Sequence, residues 1–184
     1  MRAFLLSIFV SLSALLPSLV VQRTNNDEII VAINGTNDTL KKCMSGGVEV
    51  RYQFEVELCR TRSAWFDKCK GKRDEKAYAK YDPVSESYKI QTDRLDDGIQ
   101  PELKTVYDAE TAFSAINTTR PMSIEFLAHG DQTFLERENL YIRVRGLAYC
   151  KEERNQTIET ITKFLTTGVS QLLQYNSGWE TFSL

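Results

Sequence analysis

From Val48 to Leu58 the even positions are Val48, Val50, Tyr52, Phe54, Val56 and Leu58, and the odd positions between them are Glu49, Arg51, Gln53, Glu55 and Glu57. Successive side chains on a strand point to opposite faces, so this spacing predicts one long strand with an apolar face and a charged face. A helix would scatter the same residues around its circumference. At roughly 3.3 Å per residue the strand is about 40 Å long, which requires a sizeable sheet with one face wet.

The rest of the chain supplies partners for it. Ser18–Gln22 and Glu28–Ile33 flank the turn Thr24-Asn25-Asn26-Asp27 and predict a hairpin. Asn37 or Asp38 can cap a short helix carrying Leu40, Cys43 and Met44 on one side, stopped by Gly46-Gly47. Arg60–Arg73 is expected to hold a second strand and a turn. Tyr78–Tyr81 and Ser87–Thr92 form a hairpin around Asp82-Pro83-Val84-Ser85, where proline suits the second turn position. Asp93–Pro101 is expected as a loop. Asp108–Ile116 predicts a capped helix with Ala109, Ala112, Phe113 and Ile116 together, and Met122, Ile124, Phe126 and Ala128 alternate as a half-buried strand would. Leu140–Cys150 sorts Leu140, Ile142, Val144 and Ala148 from Tyr141, Arg143, Arg145 and Tyr149. Between Thr157 and Leu173 a helical stripe (Ile158, Ile161, Leu165, Val169, Leu172) competes with Gly168 and many threonines, so two or three helical turns and then an irregular path are expected. Gly178–Leu184 closes as a last strand. Strands in hairpin order, few helices and no βαβ rhythm predict a mainly β fold, an antiparallel β-sandwich with two or three short helices.

Charge changes the picture at the beginning of the chain. Met1–Val21 carries one charge, Arg2. Ala3–Leu16 is an apolar run of signal-sequence length, broken by Pro17 and Ser18 and without an A-x-A site. The expected organisation is a signal peptide over 1–18, with an N-terminal anchor as the other reading, and a single β-sandwich domain over 19–184. The 184 residues are enough for one real core, and a formal charge of -2 argues against a nucleic-acid partner, which normally needs a basic excess.

Four cysteines, Cys43, Cys59, Cys69 and Cys150, are then disulfide candidates in an oxidising compartment, and the sequence leaves all three pairings open. Cys59 falls on the wet parity of the long strand, where a disulfide or a bulge is natural. Zinc is a poor alternative, with no C-x-x-C pair and His129 the only histidine. His129 could be oriented by Asp131 beside a hydroxyl such as Ser123, but no G-x-S-x-G turn accompanies it and a loop histidine is the simpler reading. Asp93, Asp96, Asp97 and Gly98 lack the order of a calcium loop and make a solvated acidic turn. Arg60, Arg62, Trp65, Lys68 and Lys70 form a basic segment with an aromatic centre, a candidate surface for a partner or an anionic ligand such as a lipid head group. Its plainer reading pairs these charges with Glu49, Glu55 and Glu57 across the sheet. Four sequons begin at Asn34, Asn37, Asn117 and Asn155 in expected loops; in a eukaryotic secretory route they would carry glycans.

Several segments in order resemble the bacterial family catalogued as domain of unknown function 4390. They are Leu40–Val48 running into Phe54–Leu58, Arg60 and Arg62–Asp67; Lys80-Tyr81-Asp82 with Tyr88-Lys89-Ile90; the helix with Ala109, Ala112 and Phe113; Tyr141–Arg145; and Trp179–Phe182. The chain departs from that family in its four cysteines and in lacking a Leu-Pro dipeptide near Asn155. The resemblance implies an exported protein at the periplasm or periplasmic face of the membrane, and it brings no catalytic residues. The expected function is a non-catalytic envelope module that binds or scaffolds another protein, without cofactor or metal. A binder of a lipid or other apolar ligand, in a groove lined by Tyr52, Trp65, Tyr88 and Tyr149, is the second expectation. A secreted eukaryotic glycoprotein is the third.

Overall fold

The computed structural model describes residues 17–35, 38–62, 67–94, 101–136, 139–151 and 172–184. Its centre is β3 (Glu49–Arg60), the long strand expected from the alternation, paired antiparallel along its length with β4 (Lys68–Asp82) and β8 (Leu140–Lys151). Val50, Tyr52, Phe54, Val56 and Leu58 are each no more than 1% exposed, while the odd positions from Glu49 to Glu57 stay half-buried on the other face.

Hairpin connections extend this core into a seven-stranded sheet. β5 (Ser87–Arg94) and β6 (Glu102–Val106) follow β4 on one side. On the other side, β9 (Leu172–Asn176) and β10 (Glu180–Ser183) pair with successive stretches of the same edge of β8. Ser177 joins them: its N–H donates to the Gly146 carbonyl at 3.0 Å, and its Oγ accepts from the Gly146 N–H at 2.9 Å.

A small sheet of β1 (Ser18–Arg23), β2 (Glu28–Asn34) and the two-residue β7 (Met122–Ser123) faces the large one. Gly146 makes room for this contact, since a Cβ there would lie 2.8 Å from Leu19 Cδ1 and 3.0 Å from Ile33 Cδ1. The inner layer also holds α1 (Asp38–Ser45) and α2 (Ala109–Ile116). α1 buries Leu40 and Met44 and ends at Gly47, whose φ of +77° is a left-handed helix stop that favours glycine. α2 starts at Asp108, whose carboxylate accepts from the Thr111 N–H, and sets Phe113 edge-on against Tyr52 at 5.8 Å. The architecture is the expected mainly β, sandwich-like arrangement of two antiparallel sheets, with four short helices among the described residues.

Three local expectations change. The pieces expected at Arg60–Arg73 and Tyr78–Tyr81 belong to one fifteen-residue strand, β4. Its inner positions hold Ala79, Ala77, Glu75 and Arg73 before a bulge opposite Glu57, and Gly71 there has φ +65°. A Cβ on Gly71 would sit 1.7 Å from the Leu127 carbonyl oxygen, so the bulge is where the backbone of the next helix is pressed against the sheet. That helix, α3 (Ile124–Leu127), replaces the strand expected through Ala128. Ser123 caps it by accepting from the Phe126 N–H, and Ile124 and Leu127 turn inward three residues apart. A further short helix, α4 (Gln132–Leu135), and the edge strand β6 carry no clear periodicity in the sequence. The ambiguous stretch from Thr157 lies outside the described residues up to Leu172, where β9 begins.

Candidate binding surface

Among the described residues no element covers the outer face of the large sheet. Strand register brings Tyr149 (β8), Arg51 (β3), Tyr78 (β4), Gln91 (β5) and Leu103 (β6) into one row across it. The Arg51 guanidinium lies 4.7 Å from the centroid of the Tyr78 ring, a stack worth about 0.5–1 kcal/mol at an exposed site. Its Nε donates to the Glu49 carboxylate. Partial burial opposes the charge, yet the hydrogen bond and proximity to Glu49, and then Tyr149, leave the guanidinium pKa above its usual value. Burial, and then the Asp93 carboxylate, pushes the Tyr78 phenol up to about 12. Asp93 is itself held by Gln91 Nε2 at 3.0 Å.

Beside this row a trough of about 510 Å³ opens between Glu49, Tyr78, Lys80, Lys89, Gln91 and Leu103. Leu103 is 77% exposed at its rim. The other end of the face carries Arg143 at 4.8 Å over the ring of Trp179, which is 38% exposed. The surface therefore offers aromatic rings and guanidinium groups held by neighbours of their own sheet, with opposite charges interleaved.

The basic segment is arranged differently. Arg60 and Lys70 both approach the buried Phe134 ring, each 5.5 Å from its centroid, and Lys70 Nζ donates to Asp131. Asp131 also caps α4 by accepting from the Phe134 N–H at 3.1 Å, and the bond from Lys70, then that from Thr133, holds its carboxyl well below the usual carboxylate range. Two of the candidate cations thus fasten α4 to the sheet. Arg62 and Lys68 are exposed, and Trp65 lies outside the described residues. Lys72 reaches Glu55 at 3.5 Å across the sheet, and Arg143 rather than a residue of the basic segment faces Glu57, at 3.9 Å. Arg73 turns inward, 8% exposed, with its guanidinium 4.1 Å from the Phe126 ring centroid.

The cysteines form two disulfides. Cys43–Cys150 ties α1 to β8, and Cys59–Cys69 crosses between directly paired residues of β3 and β4 with their Cα atoms 3.9 Å apart. Two such bonds suit an oxidising, exported environment. Glu57, Cys59 and Cys69 place ligand atoms within 4.8 Å of one another, but both sulfurs are bonded to each other and not available to an ion.

The hydrolytic set does not assemble. His129 Nδ1 faces the Arg73 guanidinium at 3.3 Å, Asp131 is held by Lys70, and the Ser123 hydroxyl caps α3. Of the calcium-turn residues, Asp93 lies in the outer face and Asp96, Asp97 and Gly98 are outside the described residues. The aromatics named for an apolar groove do not share one: Tyr52 and Tyr88 are buried on the inner face, Tyr149 is on the outer face, and Trp65 is not described. Asn34 is exposed at the end of β2, and the Asn117 amide donates to the Ile33 carbonyl at 3.5 Å; Asn37 and Asn155 are outside the described residues. No described helix is long and apolar enough to cross a membrane.

The outer row itself is absent from the sequence expectation. Arg51, Tyr78 and Tyr149 each have the correct parity, yet only the pairing register shows that they meet. A family model described as Domain of unknown function (DUF4390) matches residues 29–145. No curated protein and no solved structure matches the chain.

Proposed function

The chain belongs to that family of unknown function, and from this premise we propose that it is a non-catalytic binding module of an exported compartment, presenting the outer face of its large sheet to another protein. The observation that carries the reading is the row Tyr149–Arg51–Tyr78 beside the Leu103-rimmed trough. Tyrosine and arginine are over-represented where binding energy concentrates, because each joins a large contact surface to a polar group. Here the stack and the Glu49 bond hold Arg51 in place before any partner arrives, which lowers the ordering cost of association. The interleaved charges suit a protein surface with its own mixed charges better than a uniformly anionic bilayer.

Placing a photo-crosslinking amino acid at Gln53, on the outer face, and at Ser114, exposed on α2, tests this in the cells that make the protein. A discrete protein adduct is expected from Gln53 and not from Ser114, and Arg51→Ala should diminish it. Adducts of lipid mass at Gln53, equal capture at both positions, or none at Gln53 would reject the reading.

A further inference from the structure

On the opposite, inner side of the sheet, a cleft of about 320 Å³ lies between β5, β6, the end of α2 and the segment that follows it. That volume is at the small end of the range for ligand pockets, roughly 300–1,000 Å³. Glu75, only 3% exposed, lines it and accepts from the Arg120 backbone N–H at 2.9 Å. The Arg120 guanidinium lies between two carboxylates, with Nε 3.9 Å from Glu75 Oε2 and Nη1 4.0 Å from Glu102 Oε2. Both distances exceed a hydrogen bond. Arg120 Nε is buried and has no hydrogen-bond partner among the described residues. That nitrogen is closed to the cleft as well; the Arg120 side chain is 32% exposed and lines the cleft, so an entering ligand meets the outer end of the guanidinium. Lys104 supplies a second cation in the same lining.

The lining therefore carries two carboxylates and two cations. A simple anion entering it would meet Glu75 and Glu102, and a simple cation would meet Arg120 and Lys104. A small molecule bearing both charges satisfies each pair. We propose that the cleft binds a small α-amino acid, its carboxylate accepting from the outer guanidinium nitrogens of Arg120 and from Lys104 and its ammonium donating to Glu102. Glu75 acts as the buried support that sets the Arg120 backbone. None of these side chains belongs to the outer row, so the proposal stands or falls apart from the protein-binding reading.

The test is a calorimetric and ligand-observed NMR titration of the intact, oxidised protein with glycine, L-alanine and L-serine up to about 10 mM. Propionate and ethylamine, which each keep one of the two charges, serve as comparison probes. Saturable binding of at least one of the three amino acids is expected, with either single-charge probe weaker by about tenfold or more. Arg120→Gln should abolish binding. Because Arg120 also touches Glu75, Glu102→Gln gives a second reading at a side chain that is 64% exposed; it should weaken the amino acid about tenfold and leave propionate unchanged. No binding by any of the three, equal binding of propionate, or binding that survives Glu102→Gln undiminished would overturn the proposal.

Discussion

Removing the Cys43–Cys150 bridge should cost far more stability than removing Cys59–Cys69. The first closes a sequence separation of 107 residues and the second one of 10. In the chain-entropy account a cross-link restricts the unfolded ensemble in proportion to the logarithm of the loop it closes. That relation assigns about 5 kcal/mol to the long loop and about 3 kcal/mol to the short one. Burial does not separate the two bridges, since each has one buried cysteine, Cys150 at 5% and Cys59 at 0% exposed, so the loop length decides. With a urea dependence of about 2 kcal/mol per molar, Cys43→Ala/Cys150→Ala should lower the unfolding midpoint by about 2.5 M and Cys59→Ala/Cys69→Ala by about 1.5 M. A loss of 5 kcal/mol approaches the whole stability of a typical domain, so the first variant should also be the one that accumulates poorly. The assay is equilibrium urea unfolding of both double variants, followed by fluorescence and circular dichroism, with the remaining bridge verified by mass. Equal losses, or a larger loss from the short loop, would refute the loop-length reasoning.

Three further outcomes follow from the geometry. Gly71→Ala should destabilise by about 3 kcal/mol or more or fail to fold, because its Cβ meets the Leu127 carbonyl at 1.7 Å and its φ is +65°; thermal melting against Gly130→Ala, which shares a positive φ of +68° but has nothing within 4 Å and so should cost clearly less, isolates the clash. Cys69 is exposed whereas Cys59, Cys43 and Cys150 are shielded, so limiting reductant followed by alkylation should label the Cys59–Cys69 pair first by peptide mass. The Asp131 carboxyl has its pKa lowered by folding, so its contribution is complete above the unfolded value of about 3.9 and is lost as the pH falls below it. Acid unfolding followed by circular dichroism should therefore lose part of its dependence below about pH 4 in Asp131→Asn, and an unchanged profile would remove Lys70–Asp131 as an acid-sensitive tie.

Much of this architecture was legible where a strand or helix obeyed its period without conflict. Val48–Leu58 and Leu140–Cys150 alternate cleanly, and Asp108 announces α2 as a cap. β4 was harder because its inner face carries Arg73, Glu75 and Gly71, where an apolar rule asks for something else. Arg73 is reconciled by the Phe126 ring and carbonyl, and Glu75 by Arg120, contacts made with residues distant in sequence. Met122–Ala128 satisfies both alternation and an i, i+3 pattern, and the Ser123 cap decides for the helix. β6 exposes four of its five residues, so it has almost no inward pattern to detect. The basic run at Arg60–Lys70 looked like a surface because composition shows charge and not direction; Phe134 and Asp131 draw two of its cations away. The outer row was hidden for the complementary reason. Its members are ordinary one by one, and register makes them a site.

The Cys43–Cys150 bond also turns most of the chain into a ring. A protease cut in the exposed Thr61–Arg62 stretch, or at any other single point between the two cysteines, opens that ring without releasing a fragment. The nicked protein would migrate as one species until reduced, and then as pieces. Separation of the pieces after a single cut therefore requires a thiol reductant as well as the protease.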